Sequence, residues 1–164
     1  MPDVRTAVPL AGLTTLRVGG PARRLLAPAR TDELVAAVRG LDDEGEPVLL
    51  VGGGSNLVVA DEGFAGTVVR LATSGVVERD LGDGTVAVWV AAGEPWDALV
   101  AATVGSGLAG LEALSGIPGL AGATPVQNVG AYGQEVADTL LAVTVLDRTA
   151  RTVRTLDPAA CGLG

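Results

Sequence analysis

The sequence predicts an α+β fold with two lobes. A helix-patterned segment followed by the apolar run Val48–Val51 indicates a βαβ unit, and two later stretches have the alternation and turns of antiparallel hairpins. Hydrophobic residues make up 48% of the chain but aromatic residues only 2%, so the core must be built from Ala, Val and Leu. We expect a first lobe at residues 1–72 and a second at residues 73–164.

In the first lobe, an N-terminal arm of fifteen or so residues leads to a short strand at Arg23–Pro28. Thr31 is the expected N-cap of a helix at Thr31–Leu41, whose apolar residues recur at helical spacing. Val48–Val51 has the continuous apolar character of a buried strand. Beyond a glycine loop, Leu57–Ala60 and then Val68–Leu71 are predicted as further strands.

The second lobe is predicted to begin with strands at Val76–Asp80 and Thr85–Ala91, joined by a Gly-Asp-Gly turn. A helix follows from Glu94 to about Gly105. Its expected buried residues are Trp96, Leu99, Val100 and Val104, and Trp89 is also expected in the core. Leu141–Asp147 and Arg151–Leu156 form the last predicted pair of strands.

Composition excludes several classes of chemistry. The chain contains no His, and all 11 basic residues are Arg, so His-dependent catalysis, His-ligated metals and a Schiff-base lysine are impossible within it. The 19 acidic residues give a net charge of −8, which disfavours nucleic acid and anionic membranes as partners. The acidic cluster at residues 42–46 is interpreted as a solvated loop, and we expect no metal site.

The loop Gly52–Leu57 follows the predicted buried strand. Successive backbone N–H groups in such a loop can form a concave nest for a pyrophosphate, with Ser55 and Asn56 adding donors. It is not a Walker loop, because the lysine is missing, nor a Rossmann fingerprint, because Leu57 replaces the third glycine. The alternative is a tight connection in a glycine-rich protein.

The stretch Leu111–Glu135 is rich in glycine and almost uncharged, and its few polar groups suit a large, partly aromatic ligand. The alternative is a structural cluster of turns. Tyr132 either contacts a ligand or lies in the core with a satisfied hydroxyl. Glu112 and Glu135 bracket the stretch and are either bases or surface carboxylates.

Three motifs carry a resemblance to a known family. SGIPG at Ser115–Gly119, with TPVQNVGAYGQE at Thr124–Glu135, resembles the UDP-N-acetylenolpyruvoylglucosamine reductases, the MurB family. TTLRVGG at Thr14–Gly20 is similar to that family's N-terminal signature, and VGGGSNL at Val51–Leu57 to its flavin pyrophosphate loop. The resemblance implies the two-lobed PCMH-type FAD-binding fold of the vanillyl-alcohol-oxidase superfamily, with FAD bound between the lobes.

The resemblance also implies which residues contact the cofactor. The pyrophosphate would be held by the glycine loop, comprising Val51, Gly52, Gly53, Gly54, Ser55, Asn56 and Leu57. The isoalloxazine and ribityl portions would be lined by Ile117, Pro118, Gly119, Ala123, Thr124, Val126, Gln127, Asn128, Gly130, Ala131 and Tyr132. NADPH would reduce the flavin, which would pass a hydride to the enolpyruvyl group of a UDP-sugar in peptidoglycan precursor synthesis, in the cytoplasm.

The family's catalytic residues are not expected in this chain. The sequence ends at Gly164, where the resemblance implies that a Tyr-Arg motif should follow. The arginine that polarises the substrate, and the serine and glutamate of proton transfer, would belong to an absent C-terminal substrate-binding domain, which would also bind the UDP-sugar and NADPH. We therefore expect a truncated FAD-binding part of a reductase. The alternatives are an FAD-binding module without activity and the flavin domain of another oxidoreductase of this superfamily.

Overall fold

A computed structural model describes residues 4–163, which divide into two compact units with a boundary between Thr73 and Ser74. The first unit is a mixed sheet with one helix. Its elements are β1 (Val4–Pro9), β2 (Pro21–Leu26), α1 (Thr31–Asp43), β3 (Val48–Val51) and β4 (Phe64–Arg70). A 3-10 turn at Leu10–Leu13 joins the first two strands.

The strand order of this sheet is β1-β2-β4-β3. β1 is antiparallel to β2, whereas β2 and β3 both run parallel to β4. Because β3 and β4 are parallel, their carboxyl ends share one edge of the sheet, where Val51 pairs with Arg70. Aliphatic side chains fill the core beneath the sheet, including Leu10, Leu25 and Val68.

Several predicted boundaries in this unit were wrong. The N-terminal arm contains a strand, β1, which pairs with β2. Thr31 is the first helical residue and not the N-cap; Arg30 occupies the cap position without a side-chain cap hydrogen bond. Leu57–Ala60 is not a strand: Leu57 and Val59 pack against the core of the sheet without a partner strand, and the strand after the loop is Phe64–Arg70.

The prediction of a solvated acidic loop at residues 42–46 was wrong for Glu46, whose side chain contacts neighbouring strands. Its side chain is only 10% exposed, and its carboxylate accepts hydrogen bonds from the Arg23 guanidinium and from the Thr67 hydroxyl at 2.7 Å, with an Arg24 nitrogen at 3.2 Å. These contacts, that of Arg23 above all, lower the pKa of Glu46 to about 2.

Among residues 4–163 no group of three or more acidic or Cys side chains is placed to hold a metal ion.

The second unit combines helices with short antiparallel pairs. Its elements are β5 (Val76–Asp80), β6 (Val86–Val90), α2 (Trp96–Gly105), α3 (Thr124–Gln127), β7 (Gly130–Ala131), β8 (Gln134–Glu135), β9 (Val143–Asp147) and β10 (Thr152–Leu156). β5 pairs with β6, β7 with β8 and β9 with β10, each pair forming a two-stranded sheet. Helices with mixed and antiparallel sheets confirm the predicted α+β class.

The core of the second unit surrounds α2. Trp96, Leu99 and Val100 are buried on the helix, together with Leu114, Val129 and Val136 from the following segments. Thr103 completes the i, i+3, i+4, i+7 stripe and Val104 is exposed, so the prediction for Val104 was wrong. The prediction for Trp89 was also wrong, because its side chain on β6 is 54% exposed beside its cross-strand partner Val77.

Candidate functional site

The glycine loop after β3 presents a row of unpaired backbone donors. Among residues 4–163, the N–H groups of Gly52, Gly53, Gly54, Ser55 and Asn56 donate no hydrogen bond to another protein group. The side chains of Ser55 and Asn56 likewise make none within the described chain. Gly54 is buried whereas Gly53 and Asn56 are exposed, so this row of free donors is open to an anion or to water.

The shape of this loop is fixed by the segment that precedes β2. Gly54 has φ +67°, and a Cβ built on it would lie 1.8 Å from the carbonyl oxygen of Leu13. The Gly54 carbonyl accepts a hydrogen bond of 3.1 Å from the backbone N–H of Thr15. Val51 before the loop is buried, and Leu57 after it packs against the same core. The loop is therefore anchored on both sides while its donors stay free.

A cleft of about 190 Å³ opens beside these donors, wholly within the first unit. It is lined by Gly12, Leu13, Thr14, Thr15, Gly52, Gly53 and Arg70. Sites that hold a whole organic ligand usually measure about 300–1,000 Å³, so this cleft suits a compact anionic fragment. Thr14 shapes its wall, because its hydroxyl donates to the Val18 carbonyl at 2.9 Å and accepts from the Val18 N–H.

In the second unit, the segment 114–122 is held by the start of α2. The Trp96 indole Nε1 donates to the Leu114 carbonyl at 3.0 Å, and the Trp96 backbone N–H donates to the Gly119 carbonyl, also at 3.0 Å. Asp97 Oδ1 accepts from the Ser115 hydroxyl at 3.1 Å and from the Gly116 N–H at 2.6 Å. Ile117 packs against the core. This loop is thus rigidly positioned by the protein.

Two apolar side chains of the following segment point to solvent. Val126, on α3, is 85% exposed and Tyr132 is 95% exposed. Tyr132 has φ +54° and occupies the tight turn between β7 and β8 with Gly133. The alternative of a core tyrosine is therefore wrong. A non-glycine residue in this backbone region is uncommon, and such strain is concentrated at functional sites.

Asn128 combines the same backbone conformation with an unpaired acceptor. It caps the end of α3 at φ +43°, and its Nδ2 donates to Glu135 at 3.0 Å. Its Oδ1 is buried and has no donor among the described residues. A buried polar atom without a partner is rare, which marks Asn128 as an acceptor for a ligand or a water molecule. Thr124, by contrast, donates its hydroxyl to the Ala121 carbonyl.

The two carboxylates that bracket the segment have structural roles. Glu112 accepts from the Gly110 N–H at 2.5 Å, and hydrogen bonds from backbone amides, first its own and then that of Gly110, lower its pKa. Glu135 holds Asn128 and forms a capping box with Asp138. These contacts favour the interpretation of surface carboxylates over bases.

Some residues at these sites were missed by the sequence analysis. Arg70 and the segment Gly12–Thr15 line the cleft, and the motif TTLRVGG had marked only Thr14 and Thr15 of this segment, without assigning them a role. Trp96 and Asp97 were assigned to a helix and not to the positioning of Ser115–Gly119. Only pairing of distant segments reveals these contacts, and no local pattern predicts them.

Comparison with known proteins identifies the family. Residues 22–156 match the family described as FAD binding domain. The chain belongs to this family. It is 62% identical over 163 residues to the UDP-N-acetylenolpyruvoylglucosamine reductase of Nocardia farcinica, a match that covers 98% of the chain and 41% of the relative. The chain thus spans about two fifths of the length of that curated relative.

Solved structures agree with the predicted fold. The UDP-N-acetylenolpyruvylglucosamine reductase (MurB) of Thermus caldophilus matches with a TM-score of 0.72 and 34% identity, covering 97% of the chain and 53% of that protein. A solvent-stable cholesterol oxidase matches with a TM-score of 0.59 at 19% identity, which supports the fold alone. These comparisons confirm the predicted PCMH-type flavin fold, the resemblance to the MurB reductases and FAD as the cofactor of the family.

No helix within residues 4–163 has the length and apolar character needed to cross a bilayer.

Proposed function

We propose that this chain binds FAD with the diphosphate of the cofactor against the free amides of residues 52–56. The observation that carries the proposal is the row of five N–H groups without a protein acceptor, beside a cleft of about 190 Å³. Main-chain nests of this kind bind phosphates because each N–H contributes a partial positive charge. Val51 and Leu57 would contribute by anchoring the loop, since their side chains pack in the core.

In the second unit, we propose that two segments contact the flavin ring and its ribityl chain. They comprise Ile117, Pro118 and Gly119, and then Ala123, Thr124, Val126, Gln127, Asn128, Gly130, Ala131 and Tyr132. Exposed apolar groups such as Val126 and Tyr132 would cover an aromatic ring, and Asn128 Oδ1 would accept a hydrogen bond from the ligand. FAD supplies the hydride transfer, while these residues supply position and polarity.

At the level of the whole enzyme, we propose NADPH-dependent reduction of UDP-N-acetylenolpyruvoylglucosamine to UDP-N-acetylmuramate, a cytoplasmic step of peptidoglycan precursor synthesis that supports cell shape and division. The identity to curated reductases supports this assignment. No catalytic residue is assigned within the chain. Contacts to the UDP-sugar and to NADPH are assigned to the part of those relatives that residues 1–164 do not span, so the role proposed for these residues is flavin binding.

Substitutions at Gly53 test the diphosphate contact. Gly53 is exposed and does not have a positive φ, so a side chain is compatible with its backbone. Gly53→Asp places a carboxylate beside the bound diphosphate, and Gly53→Asn places a neutral group of nearly the same shape there. Repulsion should weaken FAD binding by Gly53→Asp about tenfold or more relative to Gly53→Asn, measured by quenching of flavin fluorescence. Equal affinities in two variants with native circular dichroism would contradict the proposal.

A further inference from the structure

Arg70 is the last residue of β4 and lies at the edge of the sheet where the glycine loop begins. In the parallel pairing of β3 with β4, Arg70 is opposite Val51, the residue directly before Gly52. Arg70 accordingly lines the same cleft as Gly52 and Gly53. Its position follows from the register of the sheet, which the flanking buried residues fix on both strands.

The charge of Arg70 is not offset by a neighbouring carboxylate. Arg23, Arg24, Arg30 and Arg154 form ion pairs, as expected in a chain with 19 acidic residues. Arg70 is exposed, and within residues 4–163 it makes no ion pair. A guanidinium left unpaired beside free amide donors presents a full positive charge and a planar fork of donors to whatever enters the cleft.

We propose that Arg70 binds the diphosphate of the dinucleotide and offsets the repulsion between this ligand and an acidic protein. The inference rests on the proposed function, and it adds a side chain to a site otherwise made of backbone groups. The amides supply partial charges and direction, whereas Arg70 supplies the net charge that a protein of net charge −8 otherwise lacks here.

The test compares FAD affinity in wild type, Arg70→Gln, Arg70→Lys and Arg5→Gln. Arg5 is a matched control, because it is exposed on β1, at the edge of the same sheet opposite β3, and does not line the cleft. Loss of a charged hydrogen-bonding partner should weaken FAD binding about 10- to 100-fold in Arg70→Gln, with Arg70→Lys in between and Arg5→Gln unchanged within about twofold. Sodium chloride should weaken FAD binding by wild type more steeply than by Arg70→Gln.

A competition experiment locates the contact on the ligand. ADP carries a diphosphate and riboflavin does not. The inhibition constant of ADP, derived from its displacement of FAD, should rise in Arg70→Gln by the same factor as the Kd of FAD, while the inhibition constant of riboflavin should not change. A rise in the inhibition constant of riboflavin equal to that of ADP would mean that Arg70 acts on the flavin or on the fold, and would overturn the assignment.

The outcomes separate the two proposals. If wild type binds FAD and Arg70→Gln binds it as Arg5→Gln does at every salt concentration, the role of Arg70 is overturned and FAD binding stands. If wild type is folded and takes up no FAD, both proposals fail. If circular dichroism shows that Arg70→Gln does not fold, the comparison uses Arg70→Lys and wild type instead. An FAD affinity of wild type that does not vary with salt concentration would then overturn the role of Arg70.

Discussion

The two glycine-rich segments of this protein use their backbone hydrogen-bonding groups in opposite ways. In residues 52–56 the carbonyl of Gly54 bonds to Thr15, but the N–H groups donate to no protein acceptor among residues 4–163. In residues 114–122 the polar groups are largely paired with protein partners: Trp96 and Asp97 hold Leu114, Gly116 and Gly119. Beyond that second segment, the exposed groups are the side chains of Val126 and Tyr132.

The difference indicates what each segment is suited to bind. Free amides favour an anion, because they offer only donors and partial positive charge. A loop with its backbone already paired offers shape and apolar surface, and being ordered before binding it loses little entropy when a rigid ring is bound. A dinucleotide with a charged centre and an uncharged aromatic end requires both kinds of surface. Glycine content alone therefore does not distinguish a phosphate loop from a preorganised apolar loop.

The largest expected effect concerns the scaffold of the first segment. Gly54→Ala should lower the free energy of unfolding by at least about 4 kcal/mol, because its Cβ would lie 1.8 Å from the Leu13 carbonyl oxygen. Gly45→Ala is the matched control: Gly45 has φ +65°, close to the +67° of Gly54, but no atom within 4 Å of its added Cβ. It should cost about 1–2 kcal/mol, the strain of the backbone alone. Equal losses in urea titrations would show that Leu13 does not constrain the loop.

A similar comparison sharpens the account of the second segment. Trp96→Ala should cost about 3–5 kcal/mol, since it removes a buried side chain together with the indole hydrogen bond to Leu114. Trp89→Ala removes the same side chain from an exposed position and should cost about 1 kcal/mol or less. Thermal unfolding followed by circular dichroism measures both. If Trp89→Ala were the more damaging change, the assignment of the core around α2 would be incorrect.

Acid should weaken the unit that carries the first segment through Glu46. The pKa of Glu46 is lowered from 4.5 to about 2 in the folded protein, mainly by Arg23. The unfolded chain therefore binds this proton first as the pH falls, so its contribution to stability is complete above about pH 4.5 and is lost on approach to pH 2. The difference in urea midpoint between wild type and Glu46→Gln should shrink from pH 6 to pH 3. Glu62→Gln, an exposed carboxylate of the same unit, is the control, and a Glu46 difference that stays constant would contradict this contribution.

Local patterns in the sequence were sufficient for the elements but not for their partners. Val48–Val51 was predicted with the observed limits because it is a continuous apolar run between turn signals, and Val76–Asp80 because a Gly-Asp-Gly hairpin turn separates it from the alternating strand that follows. Leu57–Ala60 also has the apolar residues of a strand, but Leu57 and Val59 pack against the core of the sheet without pairing with any of its strands. The place of Arg70 in the cleft depends on strand register, and the contact of Trp96 with Leu114 depends on long-range pairing, neither of which a local window contains.

An NMR titration tests the central claim most directly: that the diphosphate of FAD binds the free amides of residues 52–56. Uniformly ¹⁵N-labelled protein is titrated with FAD and, separately, with ADP, while the backbone amide resonances are followed. We expect the five amides of Gly52 to Asn56 to show some of the largest shifts with both ligands, because both carry a diphosphate. If FAD binds and moves resonances elsewhere while these five amides keep their positions, the diphosphate lies at another site and the account is contradicted.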